Sequence, residues 1–186
     1  MKKNGAKAIV QIHHGGAQAL PELTPDGDVV APSAISLKSF GQQKEHDARE
    51  MTAEEIEQTI RDFGEATRRA IEAGFDGVEI HGANHYLIHQ FVSPYYNRRN
   101  DVWADNYKFP VAVIDEVVKA KKAHAYDDFI IGYRLSPEEA ESPGISMEIT
   151  EELIHQIANK PLDYIHVSLM DVNSVKIGRA HVWTPV

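Results

Sequence analysis

Residues 52–80, TAEEIEQTIRDFGEATRRAIEAGFDGVEI, have the pattern of a helix that is followed directly by a strand. Thr52 and Glu55 have the spacing of a capping box, in which each side chain accepts a hydrogen bond from a free backbone N–H. Gly74 stands where a glycine commonly ends a helix, and residues 75–80 after it predict a short strand. Between these signals, apolar residues recur at the spacing of one helix face: Ile56, Ile60, Phe63, Ala70 and Ile71.

The same alternation continues on both sides of this stretch. The patterns predict a strand at 6–12, a helix at 106–123, a strand at 129–133, a helix at 149–157 and a strand at 164–168. Residues 18–50 contain Pro21, Pro25 and Pro32, and we predict a loop with turns there. Strands that alternate with helices are typical of parallel α/β architecture.

Two α/β folds compete, an open doubly wound sheet and a (β/α)8 TIM barrel. No G-x-G-x-x-G turn follows the first strand, so the nucleotide-binding open sheet lacks its best marker. Gln11, His81 and Arg134 each fall at or just past the carboxyl end of a predicted strand, where the active sites of barrels are built. The barrel is therefore favoured.

A complete barrel needs eight strands and about 250 residues, whereas four strands are predicted here. We therefore expect about the middle half of a barrel, roughly strands 3 to 6, as part of a longer protein. Residues 1–171 are predicted to form this partial barrel domain. Residues 172–186 show neither helical nor strand periodicity, and we interpret them as a non-native tail, with a native terminal segment as the alternative.

Composition excludes several classes of protein. The net charge of −9, from 28 acidic against 19 basic residues, argues against nucleic-acid binding, which usually needs a basic face. The absence of Cys excludes disulfides, thiolate zinc sites and a Cys nucleophile within the chain. No stretch approaches the roughly 18 uncharged apolar residues of a membrane span. A cytoplasmic enzyme is the expectation that remains.

The segment after the second strand is the richest in reactive side chains. His81, Asn84 and Tyr86 leave a strand end within six residues of one another and can project into the mouth of a barrel. A neutral His and an Asn offer two donors for one carbonyl oxygen, and a phenol is a plausible general acid. The alternative is that His81 and Tyr86 only pack beneath a loop.

These residues carry a specific resemblance to the old yellow enzyme family of NAD(P)H:flavin oxidoreductases. The family is an FMN-binding (β/α)8 barrel, so the resemblance implies reduction of an activated alkene or quinone, a small-molecule electrophile, with NADH or NADPH as reductant. It leaves open a homo-oligomer of the full-length protein. The motifs that carry it are His81-x-x-Asn84-x-Tyr86, Ser93-Pro94, Asn97, Arg99, Asp101, Gln11-Ile12-His13-His14-Gly15-Gly16 and Ala31-Pro32-Ser33.

The resemblance also implies individual roles. Gln11 corresponds to a glutamine that hydrogen-bonds the pyrimidine edge of FMN, and Arg134 to an arginine near the flavin N1–C2=O. His81 and Asn84 correspond to the pair that holds the substrate oxygen. Tyr86 corresponds to the proton donor to the carbon alpha to the activating group. No metal ligand is assigned in this interpretation.

The chain departs from the family pattern in two places, and two other functions stay open. Ala17 stands where the family often has Arg, and the stretch 101–107 is several residues shorter than usual, which puts substrate range in doubt. His81, His85 and His89 are spaced at i, i+4 and i+8, so a metal-dependent hydrolase is one alternative. A catalytically inactive fragment is the other.

Overall fold

A computed structural model describes residues 2–124 and 128–169 of the chain. Its main sheet has four parallel strands, which lie side by side in the order in which they follow one another along the chain. The strands are β1 (Ile9–Ile12), β5 (Gly77–Gly82), β6 (Ile130–Leu135) and β7 (Tyr164–Val167). The four strands that the sequence predicts are therefore confirmed, with shifts of one to three residues at their ends. The predicted tail, 172–186, lies outside the described residues.

In residues 2–124 and 128–169, four α-helices accompany the sheet: α1 (Ala53–Glu72), α2 (Leu87–Val92), α3 (Lys108–His124) and α4 (Met147–Ile157). α1 precedes β5, α3 precedes β6 and α4 precedes β7, which is the strand–helix alternation that the sequence predicts. Within the described part of the chain, no helix is long and apolar enough to cross a membrane.

The signals that predict the ends of α1 are both present. Thr52 Oγ1 accepts from the Glu55 N–H at 3.2 Å, and Glu55 Oε2 accepts from the Thr52 N–H at 2.8 Å. At the other end Gly74 has φ +80°, a conformation that favours glycine. The Phe75 N–H donates to the carbonyl of Ala70, which closes the helix as a Schellman motif. Local sequence therefore sets both ends of this helix.

The prediction of a loop with turns at residues 18–50 was wrong in part. Short 3-10 turns at Pro21–Leu23 and Pro25–Gly27 are present, but a second sheet follows them. It consists of β2 (Val30–Ala31), β3 (Ile35–Leu37) and β4 (His46–Glu50), with β4 parallel to β2 and antiparallel to β3. Strands of two to five residues are too short to show a periodicity, so their pairing is visible only in the folded chain.

The core lies between the main sheet and the helices. Val78, Ile80 and Ile131 are completely buried, and they belong to one apolar cluster with residues of α1 and α3. Side chains along a strand alternate between the two faces of a sheet. The residues between these core positions therefore point to the opposite face, away from the helices.

A candidate active site at the carboxyl ends of the strands

The face of the main sheet that points away from the helices is polar. On this face Glu79 of β5, two residues before His81, is the centre of a hydrogen-bond network. Its carboxylate accepts from Gln11 Nε2 at 2.5 Å, from the Tyr164 hydroxyl at 3.0 Å and from His166 Nδ1 at 3.0 Å. Burial would raise the pKa of Glu79, but the hydrogen bonds from Gln11, His166 and Tyr164 outweigh it and hold that pKa below its usual value. The network orients the amide of Gln11.

His81 lies two residues after Glu79 on the same strand, nearer its carboxyl end, and is in register with Arg134 of β6. The backbone N–H of Ala83 donates to His81 Nδ1 at 3.3 Å, so the ring proton lies on Nε2. Burial, and after it the positive charge of Arg134, lowers the pKa of His81 to about 4. His81 is thus a neutral imidazole with one N–H to donate.

Asn84 is placed by an unusual backbone conformation and by contacts to two other strand ends. Its φ is +56°, a region that Asn tolerates better than most residues. Its backbone N–H donates to Ser136 Oγ at 3.0 Å, and its Nδ2 donates to Ser168 Oγ at 3.2 Å. Arg134 Nη2 donates to the same Ser168 oxygen at 2.8 Å. Ser168 therefore joins Asn84 and Arg134 into one polar cluster.

The Tyr86 ring completes the group at the strand ends. Its centroid lies 5.0 Å from that of His81 in an edge-on arrangement, and 4.9 Å from that of His13. The structure thus brings His81, Asn84, Tyr86 and Arg134 to one end of the sheet. Gln11 lies on the same face of the sheet, beside Glu79 and farther from the carboxyl ends of the strands.

Several residues of this site are missing from the sequence-based assignment. His13, Glu79 and Ser168 contact predicted site residues, and His166 contacts Glu79. A signal was present in the sequence, because 11 and 13, 79 and 81, and 166 and 168 are pairs at the two-residue period of a strand. Each pair therefore points to one face.

The arrangement of histidines behind the metal-hydrolase alternative was wrong. α2 begins only at Leu87, so His81, His85 and His89 do not share a helix face. His81 belongs to β5, and its ring packs against Tyr86 instead. His85 and His89 do come together, with their ring centroids 4.6 Å apart, but away from the His81 ring.

Two of the motifs that carry the family resemblance have a structural role. Arg99 is buried and donates to the backbone carbonyls of Pro32 at 2.8 Å and Met51 at 2.7 Å, while it pairs with Asp101 at 2.6 Å. The motif at 31–33 is therefore fastened to the motif at 93–101. These residues support the second sheet and take no part in the polar cluster.

Comparison with known proteins decides the family. The sequence matches the NADH:flavin oxidoreductase / NADH oxidase family over residues 1–185. The chain belongs to this family. The match continues past residue 171, where the sequence-based resemblance ends, and the division there stays a prediction.

The curated relatives that the chain matches are longer proteins. It is 54% identical over 178 residues to a probable NADH-dependent flavin oxidoreductase, YqiG, of Bacillus subtilis (strain 168), covering 94% of this chain and 46% of the relative. It is 49% identical over 173 residues to the NADH:fumarate oxidoreductase of Klebsiella pneumoniae (strain 342), covering 91% of this chain and 18% of the relative. The chain spans about half or less of the length of these curated relatives.

A solved structure confirms the predicted fold class. The old yellow enzyme homologue from Zymomonas mobilis superposes with a TM-score of 0.75 at 24% identity, over 89% of this chain and 48% of that one. The chain therefore has the fold of part of a (β/α)8 barrel, and it covers about half of one. FMN and a nicotinamide reductant are the cofactors that this family membership implies.

Proposed function

We propose that this chain forms part of an FMN-dependent oxidoreductase that uses NADH or NADPH to reduce the activated C=C bond of an enone, a quinone or a related electrophile. The observation that carries the proposal is the convergence of His81, Asn84 and Tyr86 beside Arg134 at the carboxyl ends of β5 and β6. The name of one relative supports it, because fumarate is itself an electron-poor alkene.

The polar face fits the ring of a flavin. Arg134 Nε is buried and has no hydrogen-bond partner among residues 2–124 and 128–169, although Arg134 Nη2 is occupied by Ser168. An acceptor such as the flavin N1–C2=O edge would satisfy this donor, and a positive charge there favours an anionic reduced ring. Gln11 gives its Nε2 to Glu79, which leaves its Oε1 to accept from a ring N–H.

The side chains of this chain then have separate tasks. FMN, when bound, supplies the hydride chemistry that amino-acid side chains lack. His81 Nε2–H and the Asn84 amide donate to the substrate carbonyl or nitro oxygen and stabilise the negative charge that develops there. Tyr86 donates its phenolic proton to the carbon alpha to that group, and solvent later replaces the proton.

The experiment uses an FMN-loaded barrel that contains this chain, under anaerobic conditions. Flavin bleaching by NADH or NADPH is followed first, and reoxidation by 2-cyclohexenone or a quinone second. We expect stoichiometric loss of the alkene or quinone with NAD(P)H. Bleaching by NAD(P)H without reoxidation by any enone, nitroalkene or quinone contradicts the proposal.

A further inference from the structure

A second cluster of ligand-type side chains lies beside the loop that carries Asn84 and Tyr86. Imidazole nitrogens of His85 and His89 and a carboxylate oxygen of Glu139 all lie within 4.8 Å of one another. His89 Nε2 is 2.7 Å from Glu139 Oε2, and His85 Nδ1 is 3.7 Å from the same oxygen. Glu141 Oε2 lies 3.9 Å from His85 Nδ1.

The two histidines and Glu139 of this cluster are buried. His85 is 3% exposed, His89 is 0% exposed, and the side chain of Glu139 is 0% exposed. Glu141 Oε2 is also buried and has no hydrogen-bond partner in the described part of the chain. Burying two carboxylates beside two imidazoles costs free energy, unless a proton or a cation compensates the negative charge of the carboxylates.

The surroundings of Glu139 leave one of its oxygens available. Its Oε1 accepts from the Ile145 N–H at 2.7 Å and from the Ser93 hydroxyl. Oε2 is thereby turned towards both histidines. Such hydrogen bonds behind a ligating group are the usual means by which proteins orient metal ligands.

We propose that His85, His89 and Glu139 bind a divalent cation of the zinc type, and that the nearby Glu141 turns towards the cation as a fourth ligand. Imidazole nitrogen and carboxylate oxygen bind Zn²⁺ at about 2.0–2.2 Å, so adjacent ligand atoms of a tetrahedral site lie somewhat over 3 Å apart. The present separations of 2.7 to 3.9 Å bracket that spacing. On binding, the cation takes the place of the proton between His89 Nε2 and Glu139 Oε2, and that proton passes to solvent.

The site has a structural consequence for the loop that holds the proposed substrate groups. Asn84 and His85 are consecutive residues with φ values of +56° and +59°, a conformation that costs energy for residues other than glycine. A cation bound by His85 and Glu139 would tie this loop to the segment after β6. The effect on catalysis rests on the proposed function, whereas metal binding does not.

Metal binding is tested on a flavin-free barrel that contains this chain. The barrel is stripped with a chelator and titrated with Zn²⁺ by calorimetry, and the bound metal is counted by elemental analysis. We expect one equivalent per chain. His89→Gln and Glu139→Gln should each weaken Zn²⁺ binding by at least about 100-fold, and Ser93→Ala by about 10-fold through the orientation of Glu139.

His155→Gln is the matched control, because His155 is a solvent-exposed histidine on α4. It should leave the stoichiometry and the affinity unchanged. Failure of the wild-type chain to bind Zn²⁺ overturns the proposal, as does binding that survives both His89→Gln and Glu139→Gln.

A spectroscopic measurement covers the case in which the variants do not fold. The wild-type chain is loaded with Co²⁺, and its visible spectrum and paramagnetically shifted imidazole proton signals are recorded. Intense tetrahedral d–d bands with two histidine ligands support the site. Weak octahedral bands without imidazole signals overturn it, and neither result depends on flavin or on redox activity.

Discussion

The two faces of the main sheet differ although they are built from the same strands. On the helix side, Val78, Ile80 and Ile131 are completely buried in the apolar core. On the other side, Glu79 and His81 alternate with those core residues; Glu79 forms a hydrogen bond with His166, and the His81 ring packs against Tyr86. Adjacent residues of a strand therefore have different roles: one packs in the core and stabilises the fold, and the next belongs to the candidate site.

The polar face remains ordered because its groups satisfy one another. A buried carboxylate without partners is costly, yet Glu79 accepts three hydrogen bonds, one from Gln11 of β1 and two from Tyr164 and His166 of β7. Substitutions on one face should therefore change reactivity, and substitutions on the other should change the free energy of unfolding. The following experiments can break or sharpen that distinction.

Tyr86→Phe should have the largest effect, and only on one half-reaction. Loss of the phenolic proton donor should slow the alkene half-reaction by about 10²–10⁴-fold, since positioned general acids contribute in that range. Reduction of the flavin by NAD(P)H should be unchanged, as should the melting temperature. Stopped-flow measurement of the two half-reactions in an FMN-loaded barrel that contains this chain is the test. Equal slowing of both would assign Tyr86 a structural role.

Ile80→Ala should change the stability of the fold instead of a half-reaction. Truncation of a fully buried side chain leaves a cavity and should lower the free energy of unfolding by about 2–5 kcal/mol. Urea denaturation of the chain measures this change. Ile165→Ala is the control, because Ile165 lies on the same side of the sheet but is 41% exposed, so the loss should be much smaller. Similar losses for both would contradict a core confined to the central strands.

The pH dependence of stability should report the environment of His81. Its pKa is lowered to about 4, chiefly by burial, from the ordinary 6.5. The unfolded chain therefore binds a proton between pH 6.5 and about 4 that the folded chain does not, and stability falls as the pH falls through this window.

His81→Gln removes that contribution. Urea denaturation at pH 7 and pH 5 should show a smaller loss of stability for this variant than for the wild-type chain. Nuclear magnetic resonance of the wild-type ring should show it neutral down to about pH 4. Titration of the His81 ring near pH 6.5 would show that its site is open to water.

Thr52→Ala should have the smallest effect. It removes the side-chain cap of α1 and should cost about 1 kcal/mol of stability, the typical value of an N-cap. Thr52→Ser, which keeps the hydroxyl, is the control and should stay close to wild type. Thermal denaturation distinguishes them. A loss of flavin chemistry in Thr52→Ala without a loss of stability would show that the helix side of the sheet also controls the site.

Local sequence determined the main elements of this protein. The capping box at Thr52, the Schellman motif at Gly74 and the apolar periodicity of α1 act over distances of a few residues, so they can be recognised without a fold. The alternation of helix and strand then predicts a parallel α/β fold. The positions of Gln11, His81 and Arg134 at strand ends favour the barrel and predict where a site would lie.

Tertiary structure decided what depends on residues far apart in the chain. The contact of Asn84 with Ser168 spans 84 positions, and that of His89 with Glu139 spans 50. The short strands between residues 30 and 50 likewise form only because they pair with one another. Such contacts arise only when the strands pair, because the register of neighbouring strands brings the segments at their ends together.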